Sequence, residues 1–164
     1  MHHPHRLDAE SCRGHYQHFL TICTHQRCQY FLDGAVVDAV RSQILRAATA
    51  ESFAVLAYCY MPDHVHAVVH GLTETADLHR FVRLAKQRSG YVVRRTTGRR
   101  LWQSSYFDRT LRLDESLADI VRYVINNPVR AGSVDAPAKY PHWGSEVYSR
   151  EEIEDFVGSH VPRV

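Results

Sequence analysis

Residues 52–71, SFAVLAYCYMPDHVHAVVHG, constrain the fold more than any other stretch of the chain. SFAVLAYCY (52–60) is rich in β-formers and apolar enough to be a central strand. MPDH (61–64) brings Pro62 and Asp63, residues that favour a turn. VHAVVHG (65–71) alternates again and closes at Gly71 as a further strand. The rest of the chain has to supply the elements that cover such a pair.

It does so in a regular order. QHFLTICT (17–24) alternates and reads as a strand. Gly34–Ala50 carries Val36, Val37, Val40, Ile44, Leu45 and Ala48 at helical spacing. A second helix is predicted from Ala76 to about Arg95, with Leu78, Phe81, Val82, Leu84, Ala85, Val92 and Val93 inward, and with Gly90 placed to interrupt it. SSYFDRTLRL (104–113) is the fourth predicted strand. Asp114 is then the expected N-cap of a helix that buries Leu117, Ile120, Val121 and Val124. That helix should stop at Asn127, because Pro128 disfavours helix at the residue before it. A loose polar arm is expected over 1–14, one domain over 15–148, and an acidic tail over 149–164 with a short helix near 149–157. The order β-α-β-β-α-β plus a helix predicts an α+β, ferredoxin-like (split βαβ) antiparallel sheet with packed helices.

Composition limits what such a fold can do. At 164 residues and 45% hydrophobic, the chain suffices for one domain with a real core. No apolar run approaches the ~18–20 residues of a membrane span, and MHHPHRLDAE lacks the apolar stretch of a secretion signal, so no membrane partner and a cytoplasmic location are expected. Cys12, Cys23, Cys28 and Cys59 include no C-x-x-C pair, which argues for reduced thiols rather than a zinc clip or disulfides.

The formal net charge is +2, yet the segment from His79 to Arg112 carries +9 and leaves −7 for the remainder. Its ten basic residues are Arg80, Arg83, Lys86, Arg88, Arg94, Arg95, Arg99, Arg100, Arg109 and Arg112, against one acidic residue, Asp108. Codon bias can explain why arginine outnumbers lysine, but not why the cations cluster. Clustered guanidinium groups suit the phosphates of an anionic polymer. Trp102, Tyr106 and Phe107 lie within the segment and are candidates to stack on unpaired bases, although Trp102 serves equally well as core.

Two constellations carry chemistry. His64 and His66 are two apart on a strand, so both imidazoles leave one face, about 6.6 Å apart at the backbone, while Val65, Ala67 and Val69 face the core. Such a pair can chelate one divalent ion. His70 shares their phase but lies further along, at the sheet edge. Tyr123 and Asn127 are four apart on a helix, hence neighbours. Taken singly, Tyr123 is a packing residue and Asn127 a stop signal. Combined with the histidines, they fit a site in which Asn127 contributes an amide oxygen to the metal and Tyr123 is a nucleophile. Asp63 either orients an imidazole as a hydrogen-bond acceptor or simply makes the turn.

AYCYMPDHVHAVVHG (57–71), LWQSSYFDRTLR (101–112) and YVINNPVRAG (123–132), in that order, resemble the REP-associated tyrosine transposases of the single-tyrosine HUH class. The likeness spans roughly residues 16 to 148, and M-P-[DN]-H-V-H followed by Y-x-x-x-N-P-V-x-A-G is a specific combination. The resemblance implies an HUH endonuclease fold, with His64 and His66 as the histidine pair, Tyr123 as nucleophile and Asn127 as third ligand. It also implies a divalent cofactor (Mg2+ or Mn2+), no nucleotide cofactor, and cleavage and rejoining of single-stranded DNA beside hairpin-forming repeats through a 5′-phosphotyrosine. Class relatives act as monomers or as homodimers that exchange the tyrosine helix, and the REP-associated branch is compatible with a monomer. A metal-dependent phosphodiesterase using water and a non-catalytic, ferredoxin-like nucleic-acid binder are the rival readings. A histidine-triad hydrolase fails, because its third histidine would fall at Val68.

Overall fold

The computed structural model describes residues 12–159. Its centre is the expected strand pair: β2 (Phe53–Met61) and β3 (His64–Gly71) run antiparallel around the turn at Pro62 and Asp63. β1 (Gln17–Cys23) pairs with the other side of β3, with Thr21 opposite His66 and Cys23 opposite His64. β4 (Phe107–Thr110) adds to β1, and β5 (Trp143–Gly144) to β2. The resulting sheet, β4-β1-β3-β2-β5, is antiparallel throughout, the order of a ferredoxin-like fold extended by one short strand. A bulge at Val55/Ala57 lets Leu56 and Ala57 both join one core while Val55 and Tyr58 serve the other.

The helices divide between the two faces. α1 (Gly34–Ala50) and α2 (Leu78–Thr97) cover the face formed by Leu20, Ile22, Val65 and Val69. Each starts at an aspartate that accepts a backbone N–H: Asp33 from Ala35, and Asp77 from Arg80. α2 ends at Gly98, whose φ of 71° is the left-handed cap that glycine adopts without strain. α3 (Leu117–Ile125), the single turn α4 (Asn127–Arg130) and α5 (Arg150–Ser159) belong to the opposite face, where Phe19, Val68, Val121, Val124, Trp143 and Ile153 form a second core.

Several expectations need correction. Gly90 does not interrupt α2; it lies inside the helix, with Trp102 Cδ1 only 3.7 Å from where a Cβ would stand. The fourth strand shrinks to four residues; at its expected start, Lys86 Nζ donates to the carbonyls of Ser104 at 2.9 Å and Ser105 at 3.4 Å, tying them to α2. Ser116, not Asp114, caps α3, its Oγ accepting from Asp119 N at 3.3 Å. The helix stops at Ile125, two residues earlier than expected; Asn126 caps it, and Pro128 opens α4 rather than a loop. Of the arm expected over 1–14, residues 1–11 lie outside those described. Cys12–Gly14 are docked: Cys12 is buried, Arg13 pairs with Asp77 at 3.0 Å, and Gly14 N donates to Ala76 O. Gly14 also approaches Gly71 so closely that a Cβ there would lie 2.0 Å from its carbonyl oxygen, which is why β3 closes on glycine. In the tail, Ile153 and Val157 of α5 are buried and Glu151, Glu152, Glu154 and Asp155 are exposed, on the face opposite α2; residues 160–164 are outside the described part.

Candidate active site

The pleat of β3 puts His64 and His66 on the face opposite α1 and α2, as their spacing requires. Their Nε2 atoms are 3.1 Å apart and the rings lie at 83°. What aims them is the second nitrogen of each ring. His64 Nδ1 is 2.6 Å from Asp63 Oδ1, and Asp63 Oδ2 is held in turn by Arg27 Nε at 3.3 Å. His66 Nδ1 lies 2.9 Å from Thr21 Oγ1, its partner in register on β1. With both outer nitrogens engaged, the inner pair converges on one point, the arrangement expected of imidazoles that share a cation. Burial, reinforced by His64 and Arg27, lowers the His66 pKa to about 4, so its ring is neutral at neutral pH with a lone pair to give. The donor set therefore fits a divalent ion. Among the described residues, no third His, Cys, Asp or Glu joins the pair. A further protein ligand would have to be of another chemical type, as a carboxamide is.

α3 brings Tyr123 to the same place. Its ring is 5.9 Å from that of His66 and meets Phe19 edge-on at 5.8 Å, while Phe19 stacks on His66 at 5.4 Å. Phe19 is thus the wedge that sets the spacing between tyrosine and histidine. Tyr123 remains 37% exposed, so its phenol is open to a ligand rather than turned into the core. Asn127 Nδ2 donates to Tyr123 O at 2.9 Å, leaving the amide oxygen as its remaining polar atom. The Tyr123 ring meets His66, whereas Asn127 meets the Tyr123 backbone carbonyl.

The basic segment is less uniform than its charge suggests. Trp102 is buried at 4% exposure, with its indole N–H donating to Ser89 Oγ at 2.8 Å; it is core, not a stacking platform. Arg80 pairs with Glu51 at 3.2 Å, Arg109 pairs with Glu115, and Lys86 serves the 103–104 carbonyls. Arg88 reaches Arg46 O at 3.4 Å, and Arg100 Nε donates to Trp102 O. Arg83, Arg94, Arg95, Arg99 and Arg112 are exposed and make no ion pair among the described residues. Arg94 and Arg100, with Tyr91 and Gln103, line an open groove of about 830 Å³ beside α2. This groove belongs to the α1/α2 side of the sheet, whereas Arg109, opposite Phe19 in register, is on the histidine side.

Sequence reasoning missed Thr21, Phe19 and Arg27. Only the β1–β3 register reveals Thr21, and nothing local in the sequence marks the other two as neighbours of the pair.

The family model described as "Transposase IS200 like" matches residues 12–127. The chain belongs to that family. Among curated proteins, this IS200-like transposase is similar to one from Haemophilus influenzae assigned to the REP-associated tyrosine transposases, with 26% identity over 162 residues, 87% of this chain and 88% of the relative. Among solved structures it shares the fold of a REP-associated tyrosine transposase bound to a REP hairpin, with a TM-score of 0.72, 19% identity, and coverage of 87% of this chain and 82% of that one. A transposase structure from Deinococcus radiodurans R1 aligns with a TM-score of 0.52 and 24% identity over 67% of this chain and 88% of that one. The ferredoxin-like reading and the resemblance drawn from the motifs both stand. Among the described residues, no helix is long and apolar enough to cross a membrane.

Proposed function

We propose that this transposase cleaves and rejoins single-stranded DNA beside hairpin-forming, REP-like repeats by transesterification, with Tyr123 as the nucleophile. The observation that carries the reading is the exposed phenol of Tyr123 standing beside the convergent Nε2 atoms of His64 and His66. Tyr123 Oη attacks a phosphodiester; the Oη–P bond forms as the P–O3′ bond breaks, and the leaving 3′-oxygen takes up a proton in place of the one the phenol gives up. The downstream strand is left as a 5′-phosphotyrosine, and a 3′-hydroxyl reverses the step at the same or another junction. Because the adduct keeps the energy of the broken bond, no nucleotide cofactor is required. A divalent ion, Mg2+ or Mn2+, held by His64 and His66 with the Asn127 oxygen as third ligand, would offset the charge that builds on the phosphate oxygens. Asp63 and Thr21 keep the imidazoles in place, and Phe19 holds Tyr123 at its distance from them. The exposed arginines of α2 support a nucleic-acid partner, as does the hairpin carried by the solved REP-associated relative.

The test is a 3′-labelled single-stranded hairpin substrate incubated with Mg2+ or Mn2+ and run on a denaturing gel. The wild-type chain should carry label into the protein band. Tyr123→Phe should lose the adduct entirely, a fall of at least about 10³-fold, and should still bind the DNA. Unchanged cutting by that variant would assign the reaction to a water-using phosphodiesterase. No cutting by the wild-type chain on any hairpin would leave a binding module.

A further inference from the structure

α4 ends in Arg130, and this short turn folds back on the helix before it: the Arg130 guanidinium lies 4.8 Å from the centroid of the Tyr123 ring. Several other arginines of the described residues are already engaged. Arg27 is held by Asp63, Arg109 by Glu115, Arg122 by Asp119, and Arg150 by the carbonyls of Tyr140, Pro141 and Trp143. Arg130 is exposed and makes no ion pair among the described residues. A guanidinium over an aromatic face is held there by the ring quadrupole, while its N–H edge stays available to bond elsewhere. An unneutralised planar cation beside an exposed phenol is suited to one ligand class above others, a phosphate oxygen pair.

We propose that Arg130 is a phosphate-positioning residue of the strand-transfer site, which fixes the Tyr123 ring from one side and docks the phosphodiester that the phenol attacks. The inference rests on Tyr123 being the nucleophile. Arg130 neither gains nor loses a proton in the step; it stays a fixed cation while charge moves onto the non-bridging oxygens. A cation already in position stabilises that charge more than water that must reorganise. Its contribution therefore belongs to the chemical step more than to the overall grip on DNA, which the α2 arginines supply.

The experiment compares wild type, Arg130→Ala, Arg130→Lys and Tyr123→Phe for single-turnover adduct formation at saturating hairpin DNA, with affinity measured separately by fluorescence anisotropy. Arg130→Ala should slow the adduct about ten- to hundredfold, the value of a charged hydrogen bond, while affinity changes less than about threefold. Arg130→Lys should recover part of the rate, since it restores charge without the planar fork. Added methylguanidinium should restore Arg130→Ala but not Tyr123→Phe. Adduct formation by Arg130→Ala within about twofold of wild type overturns the proposal, as does a loss seen only in affinity or one that methylguanidinium leaves unchanged. Adduct formation by Tyr123→Phe overturns the nucleophile itself. A normal Arg130→Ala beside an inactive Tyr123→Phe removes Arg130 alone.

Discussion

The two faces of the sheet are covered to different extents. On one, α1 and α2 with 17 and 20 residues span about 25 and 30 Å over the central strands. There Phe53 stacks on Phe81 at 5.1 Å, and Phe31 sits between Tyr60 at 5.3 Å and Trp102 at 5.7 Å. On the other, the nine-residue α3 spans about 14 Å. It seals Val68 and Leu56 and stops beside Phe19, so Tyr123 and His64 stand at the margin of the cover. A short helix thus does two jobs, closing half a core and presenting a phenol where the cover ends. Stability should be concentrated on the first face and chemistry on the second.

That division can be broken most severely at Phe81, which is 2% exposed. Phe81→Ala empties the centre of the closed face and should cost about 3–5 kcal/mol in urea-melt stability. DNA cleavage at a temperature where the variant is still folded should be unchanged. A loss under about 1 kcal/mol would mean that α2 collapses into the gap and that the closed face is less tightly built than its stacking implies.

The closed face also holds a titrating group. His18 has no exposed surface; it packs against Phe53 at 6.4 Å and bonds Thr110 Oγ1 through Nδ1 at 3.1 Å. Burial, and to a lesser degree the charges of His70 and His79, push its pKa down to about 4. The unfolded chain takes up a proton on this ring near pH 6.5, and the folded chain does so only near pH 4, so between those values the unfolded state binds more protons. Stability from His18 is therefore complete above pH 6.5, falls as pH drops from 6.5 to 4, and is flat below. The drop amounts to about 3 kcal/mol for a shift of this size. Urea melts at steps across that window should show it, and His18→Gln should flatten the slope. A parallel slope in the variant would move the effect to other groups, His66 among them.

What the sequence made legible follows from how locally each feature is determined. α1 runs from Gly34 to Ala50 as its apolar spacing says, and the histidine pair sits where alternation puts it, because each depends on residues only a few positions apart. β4 was legible but its start was not, since the carbonyls of Ser104 and Ser105 are bonded by Lys86, more than fifteen positions away. Trp102 became core because Ser89 and Gly90 of α2 make room and a partner for its indole. The charge count located a basic segment but not which arginines were already paired, because Glu51 and Glu115 reach them only once the chain is folded. In the candidate site, the convergence of the histidines was legible from type and spacing, and the place of Tyr123 beside His66 from the motifs that carry the resemblance. Thr21 and Phe19, which hold them, are ordinary strand residues until the β1–β3 register is known.

The smallest expected effect tests the open face by a change that should leave the fold untouched. Asp63 and Arg27 are partly exposed, and a pair of that kind contributes about 0–1 kcal/mol. Asp63→Asn should accordingly leave the urea midpoint almost where it is. Its consequence should fall on His64. The carboxylate at 2.6 Å keeps the proton on Nδ1 and the lone pair on Nε2, and a neutral amide does so more weakly. Titration with Mn2+ should show affinity lower by about ten- to hundredfold. Phe81→Ala should behave in the opposite way, with stability lost and Mn2+ affinity retained. If Asp63→Asn bound Mn2+ as wild type does, Asp63 would be a turn residue only, and the convergence of the two Nε2 atoms would rest on the pleat of β3 and on Thr21.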